Sequence, residues 1–357
     1  MFLQDFVMSH IARGARIFVV DIGRSFEKSC KVMGGDFVEF GTGSKVSLNP
    51  FVNIASGTSS ADSAGDMLSM LKMVIAKMAA PKTGTKDIED ATIAESLNEV
   101  WEKYKNKADI DKLIQVLNEK GEIGKNLARM LFEFSSKGSY GKFFSGSNTI
   151  KFDNQFTVLE FEELLERPEL GGVIMQMLSI QIIQQIYLGD RKQRFIILFD
   201  EAWYALSNFP MLLASIAKTI RKYNGGLVIG TQGWNDFYGM SLGALSDADK
   251  ARISVMENSA WRISLKQNIN DEQARSRGFE DGQIALIKSL ETIDGKYAEM
   301  LISKSHDEYF VGRLALDKFS QVLYSSSPKV FASVKSYIDS GMSVADSVEK
   351  TMRDIHG

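Results

Sequence analysis

Hydrophobic residues recur with two different periods along this chain, and the change of period divides the sequence. Residues 1–12 place apolar side chains at helical spacing, and Gly14 follows as a helix stop. The next run, ARIFVVDIG, is short, apolar and β-branched, which predicts a buried strand of a parallel sheet. Residues 36–51 predict a second short strand and a polar loop. The first fifty residues therefore alternate helix and strand.

Residues 60–135 follow a different pattern, because apolar side chains recur there with helical period throughout. Alternation then resumes and predicts strands at 148–161, 194–203 and 225–234, separated by helices at 172–187 and 211–223. Further on, two strands are predicted at Tyr297–Ile302 and Tyr309–Leu316, followed by two short helices. Alternating strands and helices predict right-handed βαβ units and a mostly parallel sheet.

The pattern predicts an α/β fold with three parts. Residues 1–58 and 136–320 form the sheet-containing core, residues 59–135 an all-helical insertion, and residues 321–357 C-terminal helices. Each part is an interpretation of hydrophobic period alone.

Composition narrows the class of protein. A chain of 357 residues with 44% hydrophobic and 24% charged residues is typical of folded globular protein. The single cysteine, Cys30, excludes an internal disulfide and favours a reducing, cytoplasmic compartment. The formal net charge of −3 gives no general attraction to nucleic acid, so DNA binding would need a local basic patch. Neither a signal peptide nor an apolar run of about 18 residues is found in the sequence.

The strongest chemical signal is FIILFDEAW, in which a buried strand ends in Asp200 and Glu201. Ligands bind at the carboxyl ends of strands in open α/β sheets. There Asp200 is suited to hold Mg²⁺ through a water, since Mg²⁺ prefers oxygen ligands and keeps part of its hydration shell. Glu201 would then orient or deprotonate an attacking water. The alternative is that two acids simply end a core strand at the solvent boundary.

A second strand, LVIGTQ, ends in Thr231 and Gln232. Polar side chains at this position are able to hydrogen-bond a γ-phosphate or the attacking water, although an ordinary turn at Gly233 would be the preferred interpretation if this string stood alone. Arg221 lies at the end of the preceding helix. It is either a helix-end cation, which is favourable by itself, or an arginine finger that stabilises a phosphoryl group in a neighbouring subunit. Asp21 and Arg24 follow an apolar strand and either face the same crevice or form a strand-end turn.

Six strings in order resemble one family. They are VVDIGRSFEKSCKVMGGDFVEF, LNPF, GSYGKFFSG, FDEAWYAL, RKYNGGLVIGTQ and ENSAWRISLKQ. Together they resemble the C-terminal ATPase domain of TraC-like conjugation proteins, the large ATPases of type IV secretion systems, over nearly the whole chain. The resemblance implies a RecA-like parallel sheet flanked by helices, with an inserted helical subdomain.

By the same resemblance the protein would hydrolyse ATP with Mg²⁺ to power pilus assembly and the transfer of DNA or protein. It would work as a hexamer at the cytoplasmic side of the inner membrane, held there by components of the secretion system. Its retained catalytic set would be Asp200, Glu201, Gln232 and Arg221, with Asp200 and Thr231 contacting the cofactor and Asp200 holding Mg²⁺ through water.

The chain departs from the family in one respect, because it contains no G-x-x-x-x-G-K-[ST] string, the loop that wraps nucleotide phosphates. GTGSK at 41–45 and GTKD at 84–87 lack the spacing and are interpreted as polar loops. In the family the loop enters a helix whose start resembles FLQDFV, so the first strand, the loop and its lysine are expected directly before Met1. A truncated gene or mis-assigned start is favoured over a natural remnant. ATP binding and hydrolysis by this chain alone are then expected to be weak.

Two further functions stay open at this level. One is a non-catalytic interaction subunit that docks on the secretion apparatus. The other is a DNA-pumping translocase of the coupling-protein class, which the lack of an apparent membrane anchor and basic cluster disfavours.

Overall fold

The computed structural model describes residues 1–41, 43–51, 61–150, 152–188, 192–233, 235–238, 245–276, 278–304 and 308–356. The first part of the chain forms helices α1 (Phe2–Ile11), α2 (Glu27–Val32), α3 (Ala61–Ala79), α4 (Asp87–Tyr104), α5 (Ile110–Asn118) and α6 (Gly121–Met130). The central part forms α7 (Pro168–Leu188), α8 (Trp203–Asn208), α9 (Pro210–Thr219), α10 (Asn235–Tyr238) and α11 (Asp247–Glu257). The last part forms α12 (Asp271–Ser276), α13 (Asp281–Ser289), α14 (Lys318–Leu323), α15 (Pro328–Asp339) and α16 (Val344–His356).

Within the described residues, five parallel strands form the central sheet, as the alternating pattern predicts. They are β1 (Arg16–Asp21), β2 (Asp36–Glu39), β3 (Phe156–Glu160), β4 (Phe195–Phe199) and β5 (Gly225–Ile229). The spatial order is β2-β3-β1-β4-β5, with Val19 of β1 opposite Val158 of β3 and Leu198 of β4. All five carboxyl ends therefore meet at one edge of the sheet.

The two faces of this sheet are covered differently. Because side chains alternate along a strand, Phe18 and Val20 join a large apolar cluster with α3 to α7, whereas Ile17 and Val19 join a smaller one with α1 and α2. The helices at 61–130 thus share one continuous apolar cluster with the sheet. The predicted boundary at residues 58 and 59 lies outside the described residues, and the division into domains stays a prediction.

The later strands form a separate antiparallel sheet rather than extending the first. This sheet contains β6 (Arg262–Ser264), β7 (Thr292–Ile293), β8 (Tyr297–Ser303) and β9 (Tyr309–Leu314), with β8 paired to each of the other three. The two strands predicted from the sequence are present as β8 and β9.

The C-terminal region contains three helices, so the prediction of two is wrong. The side chain of Asp317 caps the start of α14 by accepting the N–H of Ser320, and Pro328 starts a new helix at α15. Gly341, with φ of +96°, ends α15 in a conformation that glycine adopts readily. These local start and stop signals divide the region into three helices.

The C-terminal helices attach to α1 and α2. Val322, Val334 and Val348 form an apolar cluster against which Met8 and Val32 pack. Lys28 of α2 is buried, and its Nζ donates to the carbonyls of Val322 and Ser325 at 2.9 and 2.7 Å. Its ammonium therefore satisfies carbonyls at the end of α14.

Candidate functional site

The predicted acids lie at the carboxyl edge of the parallel sheet. Asp200 directly follows β4, and its N–H donates to the carbonyl of Val20 at 2.9 Å, which continues the pairing of β1 with β4. One of its oxygens, Oδ1, accepts the N–H of Glu201 at 3.2 Å. Burial, and then the charge of Glu201, raises the pKa of Asp200 above its usual value. The carboxylate is thus held in a poorly solvated position where a cation would favour its charged form.

Glu201 is joined to Gln232 across the ends of β4 and β5. Nε2 of Gln232 donates to both carboxylate oxygens of Glu201 at 2.9 Å. The backbone of Glu201 adopts φ of +53°, in the left-handed region that a glutamate enters only at a cost of about 1–3 kcal/mol. Such strain persists where surrounding structure fixes it, and here it turns the chain away from the strand immediately after Asp200. Three of the predicted catalytic residues are therefore brought together.

Thr231 lies beside this group, but its hydroxyl is already engaged. Oγ1 of Thr231 hydrogen-bonds the carboxylate of Asp236 in the first turn of α10. Thr231 thereby ties α10 to the end of β5, and contact with a cofactor would require this hydrogen bond to be shared or broken.

Arg221 lies at the opposite end of the sheet. It belongs to the 3₁₀ helix Ile220–Tyr223, which precedes β5, and its side chain is exposed. Five strand residues separate this end from the carboxyl edge, a distance of about 16 Å. Within one chain the structure does not bring Arg221 to the predicted catalytic residues.

Two further acids extend the row of carboxylates. Asp21 ends β1 and lies opposite Glu160, which ends β3, and both side chains are buried. Oδ2 of Asp21 accepts the N–H of Phe26 at 2.8 Å, so the strand-end turn considered from the sequence is present. Burial above all, with the nearby charges of Glu160 and Asp200, raises the pKa of Asp21 to about 8. Arg24 pairs instead with Glu27 and Glu39.

Glu160 was not among the predicted site residues. Its carboxylate accepts the N–H groups of Gly23, Arg24 and Glu162 at 3.2, 2.7 and 2.8 Å. Gly23 and Arg24 both have positive φ, and their adjacent amides donate to this one carboxylate. The signal that identifies Glu160 is an apolar strand, FTVLE, ending in an acid, which is also the signal that identifies Asp200.

The start of α1 lies at the same edge. A Cβ added at Gly230 would lie 2.6 Å from Cδ1 of Leu3 and 3.2 Å from Oδ1 of Asp200, so the first turn of α1 lies against the end of β5. The first N–H groups of a helix have no partner within it, and they attract anions. The contact of Leu3 with the end of β5 was not among the predictions from the sequence.

The oxygen atoms available here suit a hydrated Mg²⁺. Oδ1 of Asp21 is buried and has no hydrogen-bond partner, and Asp200 lies on the neighbouring strand end. Within the described residues, no group of three His, Cys, Asp or Glu side chains is arranged to hold a metal ion. Mg²⁺ commonly binds proteins through one or two carboxylates and keeps several waters. Asp200 and Asp21 therefore fit a cation that retains water.

Neither glycine-containing string resembles a phosphate-binding loop in its setting. GTGSK follows β2 and is not followed directly by a helix, whereas GTKD lies between α3 and α4 and its Asp87 is the first residue of α4. Thr42 of the first string lies outside the described residues, whereas residues 84–86 of the second form a loop, as interpreted from the sequence.

The family model described as the TraG P-loop domain matches residues 1–119 and 115–355 of the chain. Protein TraC of Escherichia coli (strain K12) is 24% identical over 372 residues, which cover 97% of this chain and 40% of TraC. The chain thus spans about two fifths of the length of this curated relative.

The solved structures of similar fold include VirB4 and TrwB. VirB4 of Thermoanaerobacter pseudethanolicus superposes with a TM-score of 0.68 at 16% identity, covering 92% of this chain and 86% of VirB4. The plasmid coupling protein TrwB, in complex with the ATP analogue ADPNP, gives a TM-score of 0.56 at 12% identity, covering 88% and 81%. The RecA-like fold predicted from the sequence is confirmed. Across the described part of the chain, no helix has the length and apolar character needed to span a membrane.

Proposed function

The chain belongs to the TraG P-loop domain family, is related to TraC-like type IV secretion ATPases, and on this premise we propose that it couples ATP hydrolysis to pilus assembly and to the transfer of DNA or protein. One observation carries the proposal. Asp200, Glu201 and Gln232 meet at the carboxyl edge of a RecA-like sheet, beside the first turn of α1. That edge is where α/β proteins bind nucleotides.

Each of these residues has a distinct task in the proposed reaction. Asp200 holds Mg²⁺ through water, and the ion supplies positive charge to the nucleotide phosphates when bound. Glu201 orients the attacking water and accepts its proton. Gln232 holds the Glu201 carboxylate through both oxygens, so the acid is aimed before the substrate arrives. Thr231 contacts the γ-phosphate once its hydroxyl turns from Asp236.

The chain contains no phosphate-binding loop of the form G-x-x-x-x-G-K-[ST]. In the described part of the chain β5 pairs with β4 alone, and its five residues are half-buried along their length. We propose that a further strand pairs with the open edge of β5 and that its loop, carrying the lysine, enters α1. The loop would then reach the phosphates next to Asp200. Without it, the chain binds ATP weakly and hydrolyses it negligibly.

Arg221 would act across a subunit boundary. Arg221 precedes β5, whose five residues span about 16 Å, so within its own chain it lies at the opposite end of the sheet from Asp200. In a ring of copies, a hexamer by family resemblance, it would reach the site of the next subunit. An arginine supplied in this way stabilises charge on the transferring phosphoryl group. Inner-membrane components of the secretion system are the proposed partners, holding the ring at the cytoplasmic face of that membrane. TrwB, which has a similar fold, has been solved with ADP and Mg²⁺.

Restoration of the loop tests the proposal. A family-type strand and G-x-x-x-x-G-K-[ST] loop placed before Met1 are expected to create Mg²⁺-dependent ATPase activity. Glu201→Gln in that protein should retain nucleotide and lose roughly 10²- to 10⁴-fold in turnover, because a general base is removed while the binding groups remain. The unmodified chain is the matched control.

Two results would contradict the proposal. Tight Mg²⁺-dependent ATP binding by the unmodified chain, abolished by Asp200→Ala, would show that no external loop is needed. A restored protein that binds MgATP without turnover, and is insensitive to Glu201→Gln, would support a non-catalytic interaction subunit.

A further inference from the structure

Three carboxylates end adjacent strands on one face of the sheet. Glu160, Asp21 and Asp200 follow β3, β1 and β4, which are neighbours in that order. Side chains two positions apart on a strand point to the same face. The residues two positions before these acids are Val158, Val19 and Leu198, and all three belong to the cluster beneath α1 and α2, so the acids share that face. Asp21 is therefore the middle acid of the row.

The hydrogen bonds of these acids differ. Both oxygens of Glu160 are occupied by backbone N–H groups, two on Oε1 and one on Oε2. Asp21 has one occupied oxygen, Oδ2, which accepts the N–H of Phe26. Its other oxygen, Oδ1, has no partner although the side chain is 0% exposed. A buried carboxylate oxygen without a partner carries a desolvation cost, which a ligand that donates hydrogen bonds would relieve.

We infer that Asp21 is a positioning residue of the Mg²⁺ site, whose free Oδ1 accepts a hydrogen bond from a water of the hydrated cation held at Asp200. The inference rests on the proposed function, because it takes Asp200 as the residue that holds the ion. Glu160 serves the same site indirectly by fixing the turn from Gly23 to Arg24. The row thus contains an ion-holding acid, an acid that orients its water, and an acid that shapes the loop.

Measurement of cation binding without nucleotide tests this role separately from hydrolysis. Mn²⁺ is used in place of Mg²⁺ and is added to the full chain without nucleotide. Because the electron paramagnetic resonance signal of free Mn²⁺ falls as the ion binds, a titration gives the dissociation constant. Asp21→Asn keeps an acceptor for Phe26 and removes the free carboxylate oxygen. We expect it to weaken Mn²⁺ binding by roughly 10- to 100-fold, as for other partners that orient metal-bound groups.

Two further variants make the result specific. Glu160→Gln makes the same carboxyl-to-amide change one strand away and should weaken Mn²⁺ binding by less than Asp21→Asn, because both Glu160 oxygens are already occupied. Asp21→Ser replaces Asp21→Asn if the latter fails to fold, since its hydroxyl still accepts the N–H of Phe26. Thermal melts confirm that each protein is folded.

Three results would overturn the inference. They are equal losses in Asp21→Asn and Glu160→Gln, unchanged affinity in folded Asp21→Asn while Asp200→Asn loses it, and no Mn²⁺ binding by the unmodified chain. In each case the proposed function is still judged by turnover of the loop-restored protein. Failure of Asp21 and failure of the ATPase proposal are therefore distinguishable.

Discussion

The two faces of the parallel sheet differ in role, because one packs against helices and the other ends in the acids of the candidate site. The face beneath α3 to α7 buries a large apolar cluster that includes Phe18, Leu159 and Phe199. The opposite face is apolar only in the middle of its strands and ends in acids. It also contacts α1 and α2, whose buried polar residues Gln4 and Lys28 bind the C-terminal region.

This difference arises from the period of two along each strand. In RIFVVD of β1, one set of alternate residues packs against the helices at 61–130 and the other set leads to Asp21. A single strand therefore anchors the core on one face and delivers a carboxylate on the other. A substitution is expected to affect stability or chemistry according to its face.

The largest effect is expected from Arg221, a cation that lies away from the acids of its own chain. In the loop-restored protein, Arg221→Ala should reduce turnover on the order of 10³-fold or more in the assembled state, because a neighbouring subunit loses its finger. Steady-state ATPase assays on the assembled protein measure this. A mixture of Arg221→Ala subunits with subunits lacking the loop lysine should regain part of the activity, since some interfaces combine an intact loop with an intact finger.

Unchanged turnover in Arg221→Ala assemblies would leave Arg221 as a helix-end cation. Lys222→Ala is the matched control, because Lys222 is the adjacent exposed cation on the same 3₁₀ helix.

The face of the sheet beneath α3 to α7 should make the larger contribution to the free energy of unfolding. Leu159 of β3 is fully buried in the cluster shared with the helices at 61–130, so Leu159→Ala should lower the free energy of unfolding by about 2–5 kcal/mol. Leu265, which is 47% exposed, offers the same substitution as a control, with an expected change within about 0.5 kcal/mol. Denaturant titrations followed by circular dichroism measure both. A second transition that Leu159→Ala leaves unmoved would indicate that the helical segment folds as a separate domain.

The smallest effect concerns the buried ammonium of Lys28. Burial lowers its pKa to about 8 from 10.5, so between these pH values the unfolded chain binds more protons than the folded one. Stability should therefore rise from pH 8 to 10.5, by about 1–3 kcal/mol in total from this group. Lys28→Met should remove that rise, whereas Lys31→Met, an exposed position on the same helix, should keep it. Equal pH slopes for the unmodified chain and Lys28→Met would contradict this account.

Local patterns predicted the strands of the parallel sheet and the acids that end β4. An apolar β-branched run followed by DE is informative because a parallel strand is buried on both faces and meets solvent only at its ends. The same reasoning applied to FTVLE would have identified Glu160. The family resemblance, confirmed by the match to the TraG P-loop domain, supplied the RecA-like fold.

Contacts that depend on sheet order could not be predicted from the sequence. The pairing of Gln232 with Glu201 requires β5 beside β4 and a left-handed backbone at Glu201. The contact of Leu3 with the end of β5 also depends on that order. The separation of Arg221 from Asp200 follows from strand direction, which places a residue before β5 and a residue after β4 at opposite ends.

The edge of β5 has a practical consequence for the purified protein. Its five residues, GGLVI, carry no charge, and in the described structure their outer N–H and C=O groups face no further strand. Natural proteins protect such edges with lysine, proline or a bulge, because an uncovered apolar edge is a template for pairing with another chain. We therefore expect preparations of this chain to aggregate through β5, and a strand that covers this edge to improve their solubility.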